Sequence, residues 1–152
     1  MTGVWLSDDE QRVWRTYLRM SSLLPAALNR QLQQDCGLTV PEYEVLVQLS
    51  ETPEHRLRPF EICEALNWEQ SRLSHQLTRM ERRGLVSRQE CAADGRGAVV
   101  ALTSAGANAI AEAAPRHVAT VRRLIFERLS DAQRAAFEEA CATIVTALSE
   151  QP

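Results

Sequence analysis

No stretch of about 18 consecutive apolar residues occurs, which removes a membrane-spanning helix, and the opening MTGVWLSDDE is acidic where a secretory leader would be basic and apolar. A cytoplasmic protein with no membrane partner is the expectation. Four cysteines, Cys36, Cys63, Cys91 and Cys141, are scattered without a CxxC spacing or a flanking histidine cluster. Zinc ribbons and disulfide scaffolds are therefore disfavoured, and reduced thiols are expected. Neither His55 nor His117 falls with a second histidine and carboxylates at metal-ligand spacing, so no metal or other cofactor is expected. A glycine-rich phosphate loop, a nucleophile elbow and a convergent acid pair are also missing, which argues against an enzyme.

With 152 residues and 45% hydrophobic content, the chain is long enough for one domain with a true core. Its formal net charge of −3 at first argues against a polyanionic partner. The charge is unevenly spread: residues 71–96 carry six arginines against three acids, a local +3, leaving −6 for the rest. Binding answers to the potential over one face, so a nucleic-acid partner stays open.

Inside that basic window Leu73, Leu77 and Met80 recur at helical spacing, predicting a helix over about 70–83 with one apolar stripe. Ser71, Arg72, His75, Thr78, Arg79 and Arg82 then project from the opposite side, with Glu69 and Glu81 on the flanks. The outward face is basic and hydrogen-bonding, without an acid at its centre. Gly84 follows as a helix stop. Residues 85–90 and 98–103, with β-branched Val86, Val99 and Val100, predict a hairpin tipped by Asp94, Gly95, Arg96 and Gly97. Major grooves admit a helix and minor grooves attract an inserted arginine, so both parts have a physical role on duplex DNA.

Toward the N-terminus, Ser7-Asp8-Asp9-Glu10 reads as a capping box opening a long helix faced by Trp14, Leu18, Leu24, Leu28 and Leu32. Pro25 predicts a bend or a break in it. Gly37 ends it, and Thr39 to Glu42 starts a second helix with Pro41 in the first turn. Arg56-Leu57-Arg58 offers a small strand beside the hairpin. Residues 59–66 form a third helix, and Asn67 is expected to cap the start of the basic helix. After the hairpin, 103–129 reads as one alanine-rich helix bent at Pro115, and Ser130 caps a last helix. Trp5, Leu6 and Val13 near one end, and Val118, Phe137, Ile144, Val145 and Leu148 near the other, offer more apolar surface than one small domain covers. A two-fold homodimer is expected, setting two basic helices about one DNA turn apart on a pseudo-palindromic operator.

This order of elements, the run LTRMERRGLVSR over 77–88, the hairpin DGRGAVVALT over 94–103 and the TSAG at its end resemble the MarR family of bacterial transcription regulators over nearly the whole chain. The resemblance implies a mainly α fold with a small β-hairpin wing. A winged helix-turn-helix at about 39–103 would lie between dimerisation helices at about 7–36 and 104–150, all in a single domain spanning 1–152. It further implies a homodimeric, sequence-specific DNA-binding regulator, usually a repressor, released by a small phenolic or aromatic ligand or by oxidation. To Arg96 the resemblance assigns minor-groove entry, and to Asp94 the task of holding that arginine. Two departures stand out. Gly95 and Gly97 replace further basic residues at the tip, and the first helix lacks the cysteine of the oxidation-sensing branch, which disfavours redox sensing by that route.

Candidate contacts to double-stranded DNA are Ser71, Arg72, Ser74, His75, Gln76, Thr78, Arg79, Arg82, Asp94 and Arg96, with Ser71 and His75 pointing most directly outward. Arg83 lies nearer the buried flank and is expected to reach only phosphate or an acid such as Glu64. Trp14 and Tyr17, with Trp68, are candidates for a cavity that takes a small aromatic effector; plain packing is the competing explanation. Two other functions fit the same scaffold. A winged-helix protein-interaction module would meet an acidic partner and bind duplex weakly without sequence preference. A thiol-based redox sensor would use Cys91, beside the wing tip, before any other cysteine.

Overall fold

In a computed structural model, which describes residues 3–90 and 97–151, three helices begin at capping boxes. The hydroxyls of Ser7, Thr39 and Ser130 accept from backbone N–H groups three residues on, at 3.2, 3.3 and 3.2 Å. Glu10, Glu42 and Gln133 return the bond to the cap N–H at 2.7, 2.9 and 2.9 Å. Orphan donors of each first turn are thereby satisfied by its own sequence. The elements run α1 (Asp8–Cys36), α2 (Val40–Glu51), β1 (Arg56–Leu57), α3 (Pro59–Leu66), α4 (Gln70–Arg82), β2 (Val86–Glu90), β3 (Ala98–Leu102), α5 (Ser104–Leu124), a 3-10 turn (Phe126–Arg128) and α6 (Asp131–Ser149). This is a mainly helical winged helix-turn-helix with one small antiparallel sheet.

Two boundaries differ from expectation, at Asn67 and at the end of α5, and of the bend or break expected at Pro25 the break does not occur. Helix α1 is continuous through Pro25. The proline removes one donor, and the carbonyl it deprives belongs to exposed Ser21, where solvent has access to it. Asn67 does not cap the start of α4; it takes the left-handed conformation (φ 53°, ψ 47°) at the end of α3, and the Trp68 N–H closes that end on the Cys63 carbonyl at 3.0 Å. Asparagine tolerates this conformation because its short polar side chain relieves the strain. Helix α5 stops at Leu124 rather than near Leu129, giving way to the 3-10 turn.

Two compact units divide the chain, Met1–Arg116 and His117–Pro152. In the first, β3 is the central strand, paired with β1 on one side and β2 on the other, with Val86 opposite Leu102 and Arg56 opposite Ala101. Leu32 and Leu38, Val45, Leu46 and Leu49 of α2, Ile62 of α3, Leu73, Leu77 and Met80 of α4, and Val86 and Val100 of the sheet form one buried cluster. Burying each such side chain stabilises the fold by roughly 1.5–3 kcal/mol before entropy is counted. Gly84 turns the chain out of α4 at φ 72°, a left-handed value that suits a residue without a Cβ. Thr103 donates to the Gly84 carbonyl at 2.6 Å and accepts from the Gly106 N–H at 3.0 Å. A Cβ on Gly106 would lie 2.0 Å from the Leu85 carbonyl oxygen, so that position admits only glycine without a backbone shift. The second unit holds the rest of α5, the 3-10 turn and α6, whose Phe137, Ile144, Val145 and Leu148 are exposed.

Candidate nucleic-acid interface

Helix α4 follows α3 after a three-residue turn and buries Leu73, Gln76, Leu77 and Met80. Its opposite side presents Arg72, His75, Thr78, Arg79 and Arg82, which line one open concavity without a carboxylate among them. Exposed Ser71 and Ser74 lie on the same helix. Arg79 and Arg82 fall in the last turn, where cations suit the negative end of the helix dipole. Gln76 is a correction to the expected set. It is 5% exposed, and its side-chain oxygen accepts from Arg79 Nη2 at 2.9 Å. Position 76 is three residues on from Leu73 and so falls on the apolar stripe, where it serves to orient Arg79 rather than to face outward.

Other ties set the remaining arginines. The Arg72 guanidinium sits over the Trp68 ring, 4.1 Å from its centroid, so the cation leans on an aromatic face from the α3–α4 turn. Trp68 packs against the core of the first unit, which accounts for it without an effector cavity. Glu44 on α2 lies within electrostatic reach of Arg72. Burial pushes its carboxyl above the ordinary glutamate range, and Arg72 pulls partly back. Arg83 finds Glu42 rather than Glu64: Nη1 is 2.5 Å from Oε2 of this carboxylate, which is only 4% exposed, and Nη2 donates to the Gly37 carbonyl at 2.9 Å. The capping box announces Glu42 as a helix-start residue, but no local sequence pattern announces its pairing with Arg83 or the approach of Glu44 to Arg72, because both act across the fold.

The wing strands β2 and β3 rise directly after α4, and Arg88 on β2 reaches back to it. Asp94, Arg96 and Cys91 lie outside the described residues. Trp14 and Tyr17 stack on α1, with centroids 5.5 Å apart and planes 24° from parallel, and both are half exposed. Burial pushes the thiols of Cys36 and Cys63 up, away from the reactive thiolate form. Among the described residues no group of three or more histidine, cysteine or acidic side chains is placed to hold a metal ion.

Residues 37–97 match a family model described as MarR family. The structure is similar to that of AbsC, a MarR family transcriptional regulator from Streptomyces coelicolor, at 40% identity over 98% of this chain and 100% of that one, with a TM-score of 0.92. It is similar to Sco3205, a MarR family transcriptional regulator of the same organism solved in complex with DNA, at 39% identity over 97% and 95% of the two chains and a TM-score of 0.90. Similarity extends to CouR from Rhodococcus jostii RHA1, solved bound to p-coumaroyl-CoA, at 26% identity over 93% and 95% and a TM-score of 0.74. Among curated protein sequences, none matches the chain.

Proposed function

Since the chain belongs to the MarR family of transcriptional regulators, we propose that it acts as a homodimeric repressor on a pseudo-palindromic operator and lets go when a small aromatic effector binds. DNA binding and transcription regulation come with the family; the repression, the dimer and the effector are the proposal. The observation that carries it is the outward side of α4, where cationic and hydrogen-bonding side chains line one concavity with no carboxylate among them. Arg72, Arg79 and Arg82 would meet phosphates and fix the register, while Ser71, Ser74 and His75 reach base edges. Arg96, held by Asp94, would enter the minor groove, whose depth of potential depends on its width.

Residues 39–103 form the DNA-binding part in this reading, and 7–36 with 104–150 the dimerisation parts. Supporting the dimer, Trp5 and Val13 are 86% and 71% exposed at one end of the chain, and Ile144, Val145 and Leu148 are exposed on α6. The aromatic pair Trp14 and Tyr17 would stack against an effector ring, and the relative CouR was solved with an aromatic thioester. A cytoplasmic site of action follows from work on the chromosome; among the described residues no helix is long and apolar enough to cross a membrane.

A mobility-shift titration with the DNA upstream of the protein's own gene tests this, run with and without aromatic acids and their CoA thioesters. A dimer that neutralises about six phosphates gives a slope of log K against log salt of roughly −5, and a matching aromatic ligand releases the DNA. Binding no tighter than to an unrelated duplex would favour a protein-docking role for the same face.

A further inference from the structure

Arg88 belongs by composition to the basic stretch, yet it does not join the outward face of α4. From β2 its Nη2 donates to the Ser74 carbonyl at 3.0 Å and to Thr78 Oγ1 at 3.3 Å, and its Nε lies 3.6 Å from Glu81 Oε1. Ser74, Thr78 and Glu81 form one stripe along about two turns of the helix. We propose that Arg88 is a positioning residue, a brace that fixes the angle between the wing and α4 so that both meet the grooves of one duplex together. The proposal rests on the reading of α4 as the DNA-reading helix.

The chemistry of the side chain suits a brace. A planar guanidinium offers several donors in a rigid fork and can engage three acceptors, whereas a lysine ammonium is a flexible point charge. Nη2 and Nε of Arg88 are turned onto the helix beside Glu81, so only its Nη1 edge faces away from α4. The brace also restricts Thr78, whose hydroxyl donates to the Ser74 carbonyl at 3.0 Å while accepting from Arg88. Its donor is spent, so Thr78 retains a methyl group and an acceptor lone pair. Those suit a thymine methyl or an exocyclic amine and exclude donation to a phosphate oxygen. Non-specific binding depends on summed charge and tolerates a loose wing. Selective binding needs wing and helix in register, and an unbraced wing must be ordered at a cost in affinity.

The test begins by letting the wild-type protein select a duplex from a randomised pool. The selected duplex and an unrelated one are then titrated against salt with wild type, Arg88→Ala and Arg88→Lys, each checked for an unchanged helical circular-dichroism spectrum. Both variants should bind the selected duplex about tenfold more weakly, the scale of lost charge-assisted hydrogen bonds. In Arg88→Lys, which keeps the charge, affinity for the unrelated duplex and the salt slope should not move. A slope made shallower by roughly 1 for each protomer in Arg88→Ala, with wild-type behaviour in Arg88→Lys, would overturn the brace in favour of a phosphate contact. Unchanged affinity in both variants, or equal loss on both duplexes, would overturn it as well. No enrichment by the wild type would instead overturn the DNA-reading role of α4, and the brace with it.

Discussion

Arg79 and Arg83 stand one helical turn apart, and their surroundings divide their work. Arg79 is oriented by Gln76 toward the open side of α4, while Arg83 is tied back to buried Glu42 and to the last carbonyl before Leu38. Truncating Arg83 leaves Glu42 with only the Thr39 N–H as a strong partner. Because the guanidinium is 45% exposed, solvent screens the pair, and Arg83→Ala should lower unfolding free energy by about 1–2 kcal/mol in urea titration. The salt slope of DNA binding should stay as in the wild type, since no phosphate contact is lost. Glu44 gives a pH signature. Its raised folded-state pKa means a stabilising contribution that is fully present below the unfolded value and is lost as pH rises through the raised folded value. Protonation also removes a negative charge near Arg72, so DNA binding should tighten as pH falls through that same raised window. In Glu44→Gln this component of the pH dependence should vanish, as binding isotherms at a series of pH values would reveal.

Between α4 and α5 the chain makes a close three-way contact of Gly84, Leu85 and the Thr103 to Gly106 turn. In Gly106→Ala the added methyl meets a backbone carbonyl that cannot rotate away, and overpacking of this kind costs about 1–3 kcal/mol. A thermal melt should record a lower Tm, and a Tm equal to the wild type would mean that the turn relaxes freely. Elements of this sort were legible where one local rule governed them. The capping boxes at Ser7, Thr39 and Ser130, the stripe of Leu73, Leu77 and Met80, and the small strand at Arg56–Leu57 all formed where local pattern put them. Asn67 was misassigned because asparagine suits both a helix start and a left-handed helix end, and only the Trp68 N–H bond to Cys63 decides between them. Gln76 was misassigned because polarity suggested an outward face while its spacing from Leu73 put it inward. Partners such as Glu42 for Arg83, 41 residues apart, are set by packing that no window of sequence contains.

Across the whole molecule, an acidic sum conceals a basic face, and every one of the 17 basic side chains is arginine. Guanidinium groups keep their charge at any working pH and grip phosphate through paired donors. Acylation with an amine-directed reagent should therefore leave DNA binding intact, whereas an arginine-directed dicarbonyl should abolish it, with bound duplex protecting the face of α4. The most direct measurement of the central claim is a salt-dependent titration of the Arg79→Ala, Arg82→Ala double variant against a duplex that the wild-type protein selects. The account predicts a collapse of affinity with a slope shallower by roughly 2 for each protomer and an unchanged fold. A correctly folded double variant that keeps both the affinity and the slope of the wild type would contradict it.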